Sequence, residues 1–179
     1  MPNWCENTLT IIGRGEEGKR QYSLFKGRAE GVTEDDKVDV LCFDNFIPAP
    51  ENPKIGVTEW QYRNWGTKWG ANNAEIQDDW EGQKDKGMDC EYMISYRFDT
   101  AWSPPLKFVQ KVSKQYPDLK FEIEYWEPNM CFQGSVTYRN GKASEEIHSR
   151  NIPKIIWEIM YRRRDNGRKR NEDSGDSLP

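Results

Sequence analysis

In "LKFEIEYW" apolar and polar side chains alternate with a period of two. Leu119, Phe121, Ile123 and Tyr125 fall on one face, and Lys120, Glu122, Glu124 and Trp126 on the other. The pattern predicts a strand with one buried and one wet face. "CEYMISYRF" repeats it, with Tyr92, Ile94, Tyr96 and Phe98 on one side and Met93, Ser95 and Arg97 opposite. Together with "NAEIQDDW" this run predicts a hairpin, with the polar "EGQKDKGMD" as its turn region. "NTLTIIG", β-branched and closed by Gly13, predicts a first strand. "CFQGSVTYR" and "KASEEIH" flank Asn140-Gly141, a hairpin signal, and predict a further pair ending in an edge strand.

Helical spacing is clearest in "TAWSPPLKFVQKVSKQYPD". Leu106, Val109, Val112 and Tyr116 recur on one face with Phe108 beside them. Ser103 is the expected N-cap, Pro104 the first helical position and Pro117 the stop. A weaker helix is predicted in "EEGKRQYSLFKGRAEG", where Tyr22 and Phe25 share a face. A last one is predicted in "NIPKIIWEIMYRRR", capped by Asn151 and opened by Pro153, with Ile152, Ile155, Ile156 and Ile159 as its apolar stripe. After a short alternation at Val38, Val40 and Cys42, Pro48, Pro50 and Pro53 make residues from about 44 to 70 a long connection. Its aromatics, Phe46, Trp60, Tyr62, Trp65 and Trp69, argue that it is packed.

The order is strand, helix, two strands, helix, strand, then additions. That order predicts an α+β fold of the ferredoxin-like split βαβ kind, with an antiparallel sheet. A long aromatic-rich insertion and an extra C-terminal hairpin and helix complete it. Both main helices are expected on one sheet face. The other face stays open unless the insertion or the terminal helix lies on it. Residues 1–161 are expected to form one domain, with 162–179 a charged tail without periodicity.

Composition sharpens this picture. The charged share is high and mean hydropathy is low, yet the 179 residues include eight Trp, eight Tyr and seven Phe, so the expected core is small and aromatic-rich. The net charge of −4 hides a division. "RRRDNGRKR" at 162–170 carries +5 and "NEDSGDSLP" −3, which leaves −6 on residues 1–161. An acidic body repels phosphate backbones, so nucleic-acid contact is expected through the tail only. Cys5, Cys42, Cys90 and Cys131 show no CxxC spacing and read as small buried apolar residues. "MPNWCENTLT" has no secretory pattern, and no apolar run approaches the roughly 20 residues of a membrane span. A cytoplasmic protein with reduced thiols and no membrane contact is the expectation.

"MPNWCENTLTIIG", "NWGTKWGA", "FDTAWSPP" and "FQG", in this order over roughly residues 1–139, resemble the YubB-like family. That family comprises small plasmid- and phage-encoded proteins with a ferredoxin-like domain. The resemblance implies a mobile-element origin and supports the fold. It carries over no catalytic residues, and the basic stretch after Tyr161 lies outside it.

Candidate chemistry concentrates in two stretches. In "NWGTKWGANNAEIQDDW", Trp65 and Trp69 each precede a glycine, and Gly lets backbone turn sharply or lie flat against a ring. One reading folds these indoles, with Trp102, over the open sheet face as a plug. The other makes them a shelf for a base or other flat ligand, with Asn64, Thr67 and Lys68 as polar contacts. In "RFDTAWSPP" the helix start at Ser103 is either a plain cap or an anion site aided by Arg97 and Thr100. Tyr92, Tyr96 and Phe98 would suit base stacking on an open sheet, but Glu122 and Glu124 oppose it and no RNA-binding signature is present. Catalysis has thin support. His148 is the only histidine, Glu145 and Glu146 alternate on a strand as Asp78 and Asp79 do, and neither a P-loop nor GxGxxG occurs.

The expected role is therefore binding without chemistry, with no cofactor and no metal. The partner is a nucleotide-type signal or a host protein, bound in the cytosol to counter host defence. An enzyme acting on nucleotides or nucleic acid, and a nucleic-acid accessory protein using its tail, are the alternatives. Oligomeric state is not legible from the chain.

Overall fold

The computed structural model describes residues 2–32, 38–82 and 91–150. The predicted terminal helix, the charged tail, most of the "EGQKDKGMD" turn and Cys90 lie outside the described residues. Six strands form the main sheet: β1 (Trp4–Gly13), β4 (Lys68–Glu81), β5 (Tyr92–Ala101), β6 (Lys120–Glu127), β7 (Phe132–Arg139) and β8 (Lys142–Arg150). Their order is β4-β5-β1-β6-β7-β8, and every neighbouring pair is antiparallel. The helices among the described residues are α1 (Gly15–Ala29), α2 (Val57–Asn64) and α3 (Leu106–Gln115). A small ribbon pairs β2 (Gly31–Val32) with β3 (Val38–Asp39).

β1 and β4 run parallel with β5 inserted between them, and α1 lies on the crossover. This is the split βαβ, ferredoxin-like arrangement the element order predicts. β7 and β8 extend it from the β6 edge, turning at Asn140-Gly141, where both residues have positive φ.

Alternation places the layers as expected. Cys5, Asn7, Leu9 and Ile11 of β1 are buried with Ile94, Tyr96 and Phe98 of β5 and Phe121 and Ile123 of β6. α1 covers them with Tyr22, Phe25 and Ala29, and α3 with Phe108, Val109 and Val112. The opposite face is polar. Thr8 sits between Arg97 and Glu124, and Thr10 between Ser95 and Glu122. Tyr96 and Phe98 therefore belong to the core, while Glu122 and Glu124 occupy the side a base would need.

The insertion departs from expectation twice. It contains a helix, because the prolines end at Pro53 and α2 begins only at Val57, after Gly56 with φ 80°. It also packs on the helix side of the sheet, not over the polar face. Phe43 stacks on Phe108 with ring centroids 3.8 Å apart and meets Phe98 and Trp65 edge-on. Phe46 stacks on Phe25 and meets Phe108 and Tyr116 edge-on. These two rings wedge between α1 and α3, which an acidic, threonine-rich sheet face could not receive. No helix among the described residues is long and apolar enough to cross a membrane.

A polar clamp holds α1 to β4. The Tyr22 hydroxyl donates to Asp79 Oδ1 at 2.6 Å, and Lys26 pairs with Asp79 and Glu81. Burial raises the Asp79 carboxyl, but hydrogen bonds from Lys26 and Tyr22 prevail and hold it below the usual range. A depressed folded pKa contributes stability above the unfolded value of about 4, which is lost as pH falls. Asp79→Asn should therefore lower the melting temperature at pH 7 and flatten its acid-side decline. Replacing Phe43 with Ala should destabilise by about 3–5 kcal/mol in denaturant titration, the range for deleting a buried ring.

Candidate functional site

One end of the sheet collects the tryptophans. By register Trp4 and Lys68 both lie opposite Ala101, so the start of β1, the start of β4 and the end of β5 meet there. The turn from Trp65 to Thr67 and the start of α3 close the same end.

Trp65 is a core residue, 2 % exposed. Its indole Nε1 donates to Ile47 O at 3.1 Å, and its ring meets Phe43 and Trp60 edge-on. Its carbonyl accepts from Phe108 N at 3.1 Å, inside the first turn of α3. Gly66 follows with φ 87°, and a Cβ there would lie 3.3 Å from Lys107 N. The Trp65-Gly66 turn thus seats against the helix N-terminus that sequence reasoning offered to an anion.

The hydroxyls around this end serve the same closure. Ser103 does not cap α3, which begins at Leu106 after Pro105; its Oγ donates to Gly66 O at 2.8 Å instead. The two prolines delay the helix, since neither carries an N–H and the next one, at Leu106, turns back to Pro104 O. Thr67 Oγ1 donates to Ala101 O, and Thr100 Oγ1 to Ser103 O, each at 2.8 Å. Thr100 also accepts from the buried Asn7 amide at 2.9 Å. Arg97 lies further down β5 on the polar face, paired with Glu6 and Glu75. It is not brought to the tryptophans.

Trp69 and Trp102 behave differently. They are 44 % and 41 % exposed, and both have positive φ, 64° and 70°. For a bulky side chain this backbone is strained and persists only when its surroundings impose it. At Trp102 the cause is a three-residue γ-turn: Ser103 N donates to Ala101 O, while Trp102 N donates to Asn3 O, both at 2.9 Å. At Trp69 it is a bulged start to β4, where pairing with β5 slips between Lys68 and Asn72 and Trp69 N donates to Gln61 Oε1. The Lys68 ammonium stands 4.4 Å from the Trp69 ring centre. Trp4, which sequence reasoning passed over, lies beside Trp69 at 6.3 Å between centroids. Only the strand register shows this; nothing in the order of residues marks it. Among the described residues no ring or cation contacts the Trp102 indole.

His148 occupies a second place of interest. Residues Tyr125, Gly134 and His148 lie side by side on β6, β7 and β8. Because Gly134 has no side chain, Tyr125 and His148 meet across it and hydrogen bond, and His148 also bonds Glu146. The glycine of "FQG" was the available signal. Burial pushes the Tyr125 phenol up to about 12, which keeps its proton and runs against activation as a nucleophile.

Comparison with known proteins places the chain. A family model described as "Ferredoxin-like domain in Api92-like protein" matches residues 64–166. A crystal structure of protein Api92 from Yersinia pseudotuberculosis superposes with a TM-score of 0.53, covering 86 % of this chain and all of that one at 11 % identity. At that identity the likeness speaks for the fold alone. No curated protein matches the sequence. If the Trp65-Gly66 turn organises this end, Gly66→Ala should destabilise by roughly 1–3 kcal/mol, from a strained φ and a Cβ against Lys107 N. Gly27→Ala, inside α1 without positive φ and with no atom within 4 Å, should be neutral or stabilising; paired chemical denaturation compares them.

Proposed function

The chain belongs to the family of Api92-like proteins with a ferredoxin-like domain, and from that premise we propose that it acts by binding, without chemistry. The partner presents a flat, π-rich group of nucleotide type to the exposed indole of Trp102, with Trp69 and Lys68 alongside. One observation carries this reading: a large aromatic ring stands exposed on strained backbone, with no ring or cation of the described residues against it. Strain of this kind concentrates at functional positions, and aromatic rings are sequence-tolerant platforms for bases.

Of the nine residues the sequence nominated, Lys68, Trp69 and Trp102 present side chains to such a partner. Asn64 is tied up by the Trp60 carbonyl and the Lys111 ammonium. Trp65, Thr67, Thr100 and Ser103 build the support beneath them, and Arg97 stands apart on the polar face. Because the hydroxyls and the helix start are engaged by backbone, a ligand's negative charge must be met by ammonium groups. The YubB-like resemblance supports a mobile-element setting, with the protein in the host cytosol withdrawing a nucleotide-type signal from host defence.

A second reading has its own observation. Met130 in the β6–β7 turn is also exposed, so this end offers Trp69, Trp102 and Met130 as apolar anchors for a host protein.

A thermal-shift screen against linear and cyclic nucleotides tests the first reading. A ligand should raise the melting temperature of the wild type, be recovered unchanged after heat denaturation, and lose its effect on Trp102→Ala. The variant's own melting temperature should stay within a few degrees of wild type. New products in the recovered ligand would end the binding-only reading. Silence from every nucleotide, with a host protein captured only when Trp69 and Trp102 are intact, would favour the second.

A further inference from the structure

The geometry points to single-stranded nucleic acid as the partner, with a base on Trp102 and phosphates along the outer face of α3; this rests on the proposed stacking role of Trp102. Lys107, Lys111 and Lys114 recur at i, i+4 and i+7, which sets them on one exposed helix face. The helix rise places the first and last about 10 Å apart along the axis. Lys107 Nζ donates to the Tyr62 carbonyl at 3.2 Å and Lys111 Nζ to the Asn64 side-chain oxygen at 2.7 Å, both uncharged acceptors. Among the described residues no carboxylate pairs with any of the three.

The row continues beyond the helix. Gln110 Nε2 donates to Gly141 O, and a Cβ at Gly141 would touch the Lys114 stem, so the β7–β8 turn abuts α3. Arg139 and Lys142, both exposed, flank that turn. The acid on this side of β8, Glu146, is engaged by His148. Burial and the neighbouring Lys107 charge both lower the Lys111 pKa, as expected of cations gathered without a counter-ion. An overall acidic protein thus keeps a row of five cations, and Trp102 stands five residues before the first of them. An aromatic platform at the head of a basic track is the device by which proteins hold single strands without reading sequence.

The test uses the full chain and a fluorescently labelled oligothymidylate of about 12 nucleotides, a length within known site sizes, by anisotropy between about 50 and 200 mM salt. The wild type should bind at low salt, with a slope of log K against log salt of about −2 for three phosphate contacts. Exchanging Lys107, Lys111 and Lys114 for Ala should remove most of that slope and weaken binding at least about tenfold. Trp102→Ala should weaken it about five- to hundredfold and leave the slope intact. All these positions are exposed, and an unchanged melting curve checks folding.

No binding at 50 mM salt overturns the inference. So does a triple-lysine variant that binds as wild type, while Gln at Arg162, Arg163, Arg164, Arg168, Lys169 and Arg170 abolishes binding, because the tail is then the contact. Displacement by polyglutamate as effective as by unlabelled oligonucleotide also overturns it, and assigns the row to an acidic polypeptide. Binding of mononucleotides that needs Trp102 but no lysine overturns the polymer while leaving the proposed function standing. Indifference to Trp102 removes both.

Discussion

Trp65 ties three parts of the chain into one body. Its ring enters the core against Phe43, its indole N–H holds Ile47 of the insertion, and its carbonyl takes the Phe108 N–H of α3. A buried indole with a satisfied N–H combines large apolar area with directional control. The next three residues inherit the position. Gly66 must turn with positive φ, Thr67 must reach back to Ala101, and Lys68 and Trp69 emerge at the sheet end. The exposed indoles are placed by the one that is not exposed.

That constraint separates support from contact. A helix start beside hydroxyls resembles an anion site, yet here carbonyls of the chain itself hold those groups. Satisfying buried polar groups internally is the ordinary requirement of folding. Positive charge is left to side chains on long stems: Lys68 above Trp69, and the lysines of α3. The strain at Trp69 and Trp102 is imposed by the hydrogen bonds their N–H groups donate to Gln61 and Asn3 and by the γ-turn, so both rings stand on fixed backbone.

Much of the fold was legible. The alternation in "LKFEIEYW" and "CEYMISYRF", the helical spacing from Leu106 to Tyr116, and Asn140-Gly141 each carried a local physical signal, and each element formed. The insertion was legible only in part. Its prolines marked irregular chain and its aromatics marked packing, but α2 and the side of the sheet it joins did not show. Ser103 was read as a cap from its place before Pro104, whereas a contact with Gly66, 37 residues away, decided its role. Trp4 beside Trp69 and Tyr125 beside His148 depended on strand register, which no local window contains.

The amino-acid sequence by itself determined which residues become strand or helix and which face of each turns inward. Those choices follow from side-chain periodicity and local backbone preference, which act over a few residues. Tertiary structure alone decided that Trp65 is interred while Trp69 and Trp102 stand exposed, and that the α3 lysines meet no carboxylate among the described residues. Three tryptophans in similar local settings have the same intrinsic affinity for a core. Their fates differ because burial depends on what the rest of the chain brings alongside, and that is fixed only when distant segments meet.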